Sequence, residues 1–143
     1  MSTTKQFCTF YLHDLLFGIE VEQVQEVFRH QEVTEVPLAP PIVKGLINLR
    51  GQIITTIDLR RQLQMEDLPD DQKPNNIVLR QPDGVVSLLV DEIGDVLQAP
   101  DEAFEPVPET LTGPTKTMVR GVYKLENQLL LVLDTTKAGL LDN

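Results

Sequence analysis

Short apolar runs recur along the chain between polar turns, and none sustains a helical period. Residues 6–12 alternate Phe, Thr and Tyr, and residues 16–20 follow after a turn at His13-Asp14, so both read as strands. Val21, Val24 and Val27-Phe28 recur at spacings of three and four, which fits one or two helical turns or a strand with a bulge. Residues 35–41 hold three prolines, which exclude a central strand or a helix interior. Residues 43–59 carry the clearest pattern: two strands rich in Ile, Leu, Val and Thr, joined by a tight turn at Arg50-Gly51. Gly51 supplies the positive φ such turns need, and Arg50 is lifted out of an apolar hairpin onto its tip. Residues 58–63 read as a short helix with Asp58 as N-cap.

The polar residues 65–76 read as a connecting loop. Residues 77–80 and 85–90 flank Gln81-Pro82-Asp83-Gly84 as a hairpin. A strand resumes over 95–98, and the four prolines of residues 99–117 predict a long irregular connection. Residues 119–125 and 128–133 form a last hairpin with Glu126-Asn127 at the turn, and Asp134 caps a short helix through residue 141.

The order of these patterns repeats. Val21-Glu22-Gln23-Val24-Gln25-Glu26-Val27 matches Val90-Asp91-Glu92-Ile93-Gly94-Asp95-Val96, and Val36-Pro37 matches Val107-Pro108. Val43-Lys44-Gly45-Leu46 matches Val119-Arg120-Gly121-Val122, Gln52-Ile53-Ile54 matches Gln128-Leu129-Leu130, and Ile57-Asp58 matches Leu133-Asp134. Two similar β units follow. Each is marginal alone, so the two should pack together, with the seam between them a natural groove. Many short strands favour two small barrels over a sandwich or an α/β sheet.

Composition narrows the function. The 143 residues are 41% hydrophobic and 24% charged, which suits one folded domain with a proper core. A net charge of −10 repels phosphate backbones and anionic lipid, which argues against nucleic acid and membrane surfaces as partners. Cys8, the single cysteine, is flanked by Phe7 and Phe10 and reads as a small buried hydrophobe. Without an internal disulfide, a signal-like apolar core or a membrane-length run, the expected place is the cytoplasm.

Catalytic chemistry finds little support. His13 and His30 have no spaced partner, and Glu66-Asp67 with Asp70-Asp71 lack the spacing of a calcium loop. No cofactor or metal motif appears. Leu133-Asp134-Thr135-Thr136 shares Asp-Thr with aspartic protease loops but has Thr where they need Gly, and helix capping explains Asp58 and Asp134 more simply. A phosphoacceptor role for Asp58 or Asp91 would need long amphipathic helices that the pattern lacks. A binding module remains, with Arg50, Lys44 and Glu26 as surface candidates. The repeat mate of Arg50 is Glu126, so the two units share a frame and differ at the tip.

Gly45-Leu46-Ile47-Asn48-Leu49-Arg50-Gly51 within residues 43–59 resembles the signature of the CheW family of chemotaxis coupling proteins. Phe17-Gly18-Ile19-Glu20-Val21 and Leu88-Leu89-Val90-Asp91 are similar to the family's opening and middle segments. The chain departs from the family pattern at Thr55, Thr56 and Ser87. The resemblance covers residues 6–141 and implies an all-β fold of two five-stranded SH3-like barrels related by duplication. Their expected extents are about 20–85 and 86–143, the second taking in residues 6–19. It implies a non-enzymatic adaptor between a chemoreceptor signalling tip and the regulatory domain of a CheA-type histidine kinase. The receptor tip would dock in the groove between the barrels, on or beside Val24, Glu26, Val27, Lys44, Gly45, Arg50 and Ile53. Ile93 and Val96 would face the kinase. A related adaptor for another motility or gene-regulation pathway, and a small hydrolase using Asp134 or Asp58, are the alternatives.

Overall fold

The computed structural model describes residues 3–82 and 84–137. Its strands are β1 (Thr4–Leu12), β2 (Leu15–Glu20), β3 (Val24–Phe28), β4 (Val43–Leu49), β5 (Gln52–Asp58), β6 (Asn75–Gln81), β7 (Gly84–Val90), β8 (Glu92–Pro100), β9 (Val119–Lys124) and β10 (Leu129–Leu133). Two short helices are α1 (Leu59–Gln62) and α2 (Gly113–Met118). The strands form two five-stranded sheets, ordered β3-β6-β7-β5-β4 and β8-β1-β2-β10-β9.

The two orders are the same arrangement. Each sheet has an antiparallel edge pair (β3·β6, β8·β1), a tight hairpin beside it (β6·β7, β1·β2), one parallel pair (β7·β5, β2·β10) and a closing hairpin (β5·β4, β10·β9). The sequence repeat is thus a repeat of topology. The second sheet is circularly permuted: its middle strands β1 and β2 come from the start of the chain. A division at residues 85/86 would cut through β7, which pairs with β6 and β5; the chain leaves the first sheet at Asp91.

Both sheets bury apolar rows, and they share one core. Phe10, Leu12, Phe17 and Ile19 of β1 and β2 pack with Ile57, Ile77, Leu79 and Leu88 of the first sheet and with Val122 and Leu131. Each sheet adds a smaller cluster of its own, Ile47, Leu49, Ile54 and Val78 in one and Phe7, Leu16, Tyr123, Leu130 and Val132 in the other. Burial on both faces is what such a shared core requires of the central strands.

Local elements follow local chemistry, with several corrections. Residues 21–28 resolve both ways, as a 3₁₀ turn at Val21–Gln23 and then β3 with a bulge between Val24 and Glu26. Asp58 caps α1 by accepting from Arg61 N at 3.3 Å. The connecting loop ends at Pro74, because β6 starts at Asn75. The strand expected over 95–98 runs from Glu92 to Pro100. The stretch expected to be irregular over 99–117 contains a 3₁₀ turn at Asp101–Ala103 and α2, with Pro114 in the first helical turn where its missing N–H costs nothing. After β10, residues 135–137 form a turn, and Asp134 Oδ1 accepts from Thr136 N at 3.0 Å. The rest of the expected C-terminal helix, and Asp83 of the β6–β7 turn, lie outside the described residues.

Candidate partner-binding site

The β4–β5 hairpin turns through Arg50 (φ 51°) and Gly51 (φ 89°). Two positive φ values are the signature of a type I′ turn, whose twist matches the flanking strands. The register Leu49↔Gln52 confirms the two-residue loop, and Asn48 Oδ1 accepts from Gly51 N at 2.9 Å. Arg50 accordingly sits on a defined tip.

The Arg50 guanidinium is not a free cation. Its Nη2 donates to Glu26 Oε2 on β3, while the Arg50 side chain remains 67% exposed. β3 and β4 are the two edges of the first sheet, so this pair joins the edges. The segment that follows β3 is also bridged to β4 at Thr34↔Leu46, with Thr34 N donating to Leu46 O and Leu46 N to Thr34 O, both at 2.8 Å. The surface pair contributes little to stability, and its main effect is to aim the guanidinium. In the second sheet the repeat mates of Glu26 and Arg50 are Asp95 and Glu126, both acidic, so no equivalent clamp can form.

The other expected site residues divide. Val24 and Val27 share β3 with Glu26; Val24 is half-buried against the shared core and Val27 is 39% exposed. Ile53 lies opposite Asn48 on β5 and is 59% exposed. Lys44 stands at the other end of β4 from Arg50, six residues or about 20 Å away along an extended strand. It lines a cleft of about 680 Å³ with Asp58, Arg60, Arg61, Asp67 and Asp91. Neither Arg50, Val27 nor Ile53 lines that cleft. Gly45 is buried, and a Cβ there would lie 2.2 Å from Thr34 O and 2.6 Å from Val33 Cγ1. Its role is to let the chain pass. Gly121 repeats the arrangement under Phe104, where a Cβ would lie 2.0 Å from a ring carbon, beside the bridge Glu105↔Val122.

Ile93 and Val96 lie on β8, the edge strand of the second sheet that corresponds to β3. Both are exposed, Val96 at 58%. Three exposed apolar side chains escaped the sequence reading: Val36 and Leu38 in the proline-rich segment, and Phe104. The repeat would have flagged Phe104, because it falls two positions before Pro106 as Val33 falls before Glu35, each over its glycine.

The shifted carboxylates Asp67 and Asp91 are both held by arginines of α1. Burial works against the Asp91 carboxylate, but hydrogen bonds from Arg60 and from His13 N outweigh it and hold its pKa below the usual value. The Arg60 guanidinium is raised in turn, chiefly by its hydrogen bonds to Asp91. Arg61 lowers Asp67 at the start of the following loop in the same way. Among the described residues, no group of three or more His, Cys, Asp or Glu is placed to hold a metal ion.

These features can be set against known proteins. The family model described as "CheW-like domain" matches residues 6–139. The chain belongs to the CheW-like family. It is 32% identical over 133 residues to Chemotaxis protein CheW of Klebsiella aerogenes, covering 93% of this chain and 80% of that one. It is 30% identical over 134 residues to Chemotaxis protein CheW of Bacillus subtilis, covering 94% and 86%. The crystal structure of the scaffolding protein TtCheW from Thermoanaerobacter tengcongensis superposes with a TM-score of 0.83 at 26% identity, over 92% of this chain and 90% of that one. The all-β fold of two SH3-like five-stranded units and the chemotaxis scaffold family are thereby established for this chain.

Proposed function

We propose that this chain is a non-catalytic adaptor that couples the signalling tips of chemoreceptors to a CheA-type histidine kinase in the cytoplasm. Membership of a scaffold family supports the general role. The observation that carries the finer reading is the Arg50 tip: a guanidinium steered by Glu26, with exposed Ile53 on the same hairpin and exposed Val27 on the strand that carries Glu26. A fork-shaped donor with apolar neighbours suits a helical hairpin that offers acidic and apolar side chains together.

The kinase's regulatory domain would meet the β8 edge, where Ile93 and Val96 expose apolar surface. Two separate contact regions on one body let the adaptor favour one receptor state and pass the bias to the kinase without chemistry. Among the described residues no helix is long and apolar enough to cross a membrane, and attachment to receptor arrays would run through these partners.

The test is a binding assay with a receptor-tip fragment and, separately, the kinase regulatory domain. Arg50→Glu should weaken the receptor tip at least about tenfold and leave the kinase unchanged, while Val96→Asp should do the reverse. Unchanged binding of both partners by both variants would remove the assignment.

A further inference from the structure

The interior of the first sheet carries three polar side chains in a row. Thr56 on β5 pairs with Ser87 on β7, and Asn76 on β6 reaches the same face, its Nδ2 donating to Ser87 Oγ at 3.0 Å. All three residues are 0% exposed. Among the described residues, Thr56 Oγ1 and Asn76 Oδ1 have no hydrogen-bond partner, and the Ser87 hydroxyl, which accepts from Asn76, donates to nothing. An acceptor and two hydroxyls are thus left with unused bonding capacity on three adjacent strands, with Ser87 on the middle one. Leaving such groups unpaired in a core is costly, and native proteins avoid it.

The second sheet shows the same place built from apolar residues. By register, Val132 and Gly18 correspond to Thr56 and Ser87, and Phe7 corresponds to Asn76. There the Phe7 side chain crowds Gly18: a Cβ on Gly18 would lie 3.3 Å from Phe7 Cβ and 3.0 Å from Leu130 Cδ1. Phe7 is itself fully buried. In the first sheet valine has become isosteric threonine, glycine has gained a hydroxymethyl, and the phenyl ring has shrunk to a carboxamide. The polar trio holds about one heavy atom fewer than its apolar mate, and it has gained polar functions left over once Asn76 has bonded Ser87.

We propose that a single water molecule is an integral part of the first sheet, bound by Thr56 Oγ1, Ser87 Oγ and Asn76 Oδ1. It donates to the Asn76 carbonyl, accepts from the Ser87 hydroxyl, and bonds the Thr56 hydroxyl. Three bonds of this kind are the usual complement of a buried water. The water replaces the ring that Phe7 supplies in the other sheet. It ties β5, β7 and β6 together across the parallel pair.

Two measurements on the full chain test this. A crystal structure with refined solvent should show a density peak within hydrogen-bond reach of all three atoms, roughly 2.7–3.2 Å. If the side chains instead satisfy one another with no peak between them, the site does not exist. The second measurement is the urea midpoint. Thr56→Val removes one partner of the bound water and should lower the midpoint, whereas Thr56→Ser keeps the hydroxyl and should retain the density peak. A midpoint that rises in Thr56→Val would mean that the hydroxyl is simply unpaired in the wild-type core, and would overturn the proposal.

Discussion

Arg60 grips Asp91 with two parallel hydrogen bonds, Nε to Oδ1 at 2.7 Å and Nη2 to Oδ2 at 2.6 Å. Asp91 is the residue at which the chain passes from β7 to β8, and it is held from three further directions. His13 N donates to its Oδ2 at 2.6 Å, Asn75 Nδ2 donates to its carbonyl at 3.0 Å, and its own N–H donates to Tyr11 O at 3.0 Å. One carboxylate therefore joins α1, the β1–β2 turn and the crossover between the sheets. Asp91→Asn keeps the shape but removes the counter-charge of a guanidinium that is 12% exposed and, among the described residues, otherwise donates only to Glu66 O. It should cost about 3 kcal/mol, measured as a lowered urea midpoint.

The same pair fixes an acid limit. The folded-state pKa of Asp91 lies below its unfolded value. Its contribution is therefore complete above the unfolded pKa, begins to fade as the pH drops toward about 4, and is lost below the folded pKa. Thermal melts of the wild type between neutral pH and pH 3 should show this decline, and the decline should be shallower in Asp91→Asn.

Charge neutralisation separates geometry from contact at the Arg50 tip. Glu26→Gln removes the partner of an exposed guanidinium, so stability should change by less than about 1 kcal/mol. If Glu26 aims Arg50, receptor-tip binding should weaken severalfold even though Arg50 is intact. Equal affinity in Glu26→Gln would leave Arg50 acting alone.

Gly45→Ala tests the chain crossing. The new Cβ meets a backbone carbonyl and not a flexible side chain, so relief requires moving the segment that carries Thr34. A loss of about 2–4 kcal/mol is expected, with broadened amide signals at Thr34 and Leu46.

Leu38 offers the opposite sign. It adopts φ 64° and is fully exposed, so it sits in the left-handed region with no packing to compensate. Leu38→Gly or Leu38→Asn should leave the fold intact and, with Asn, raise stability by about 0.5–1 kcal/mol.

What could be read from the sequence was local. The Arg50-Gly51 turn, the Asp58 cap and the strand pairs around short turns are written in neighbouring residues, and they appear as expected. The repeat was also legible, because Gly45 and Gly121 answer the same steric demand. Three things were hidden. The Glu26–Arg50 pair and the Arg60–Asp91 pair join residues distant in sequence, which no periodicity encodes. β8 is an edge strand exposed along most of its length, so it lacks the alternation that marks a half-buried strand. Finally, Lys44 and Arg50 are near neighbours in sequence, but an extended strand carries them to opposite ends of the first sheet.

The permuted second sheet has a consequence for synthesis. A ribosome releases the β1–β2 hairpin first, yet its neighbours β8 and β10 emerge last, with Thr4 eventually pairing with Pro100 and Phe17 with Leu131. The strands β3 to β7 are contiguous and can close their own sheet in the interval. The nascent hairpin must wait with both edges unpaired and with Phe10 and Phe17 still lacking the cover of Val122 and Leu131. Those two rings, stacked 5.5 Å apart in the finished core, are the surface on which a chaperone or a stray strand would first compete with the chain's own C-terminal third.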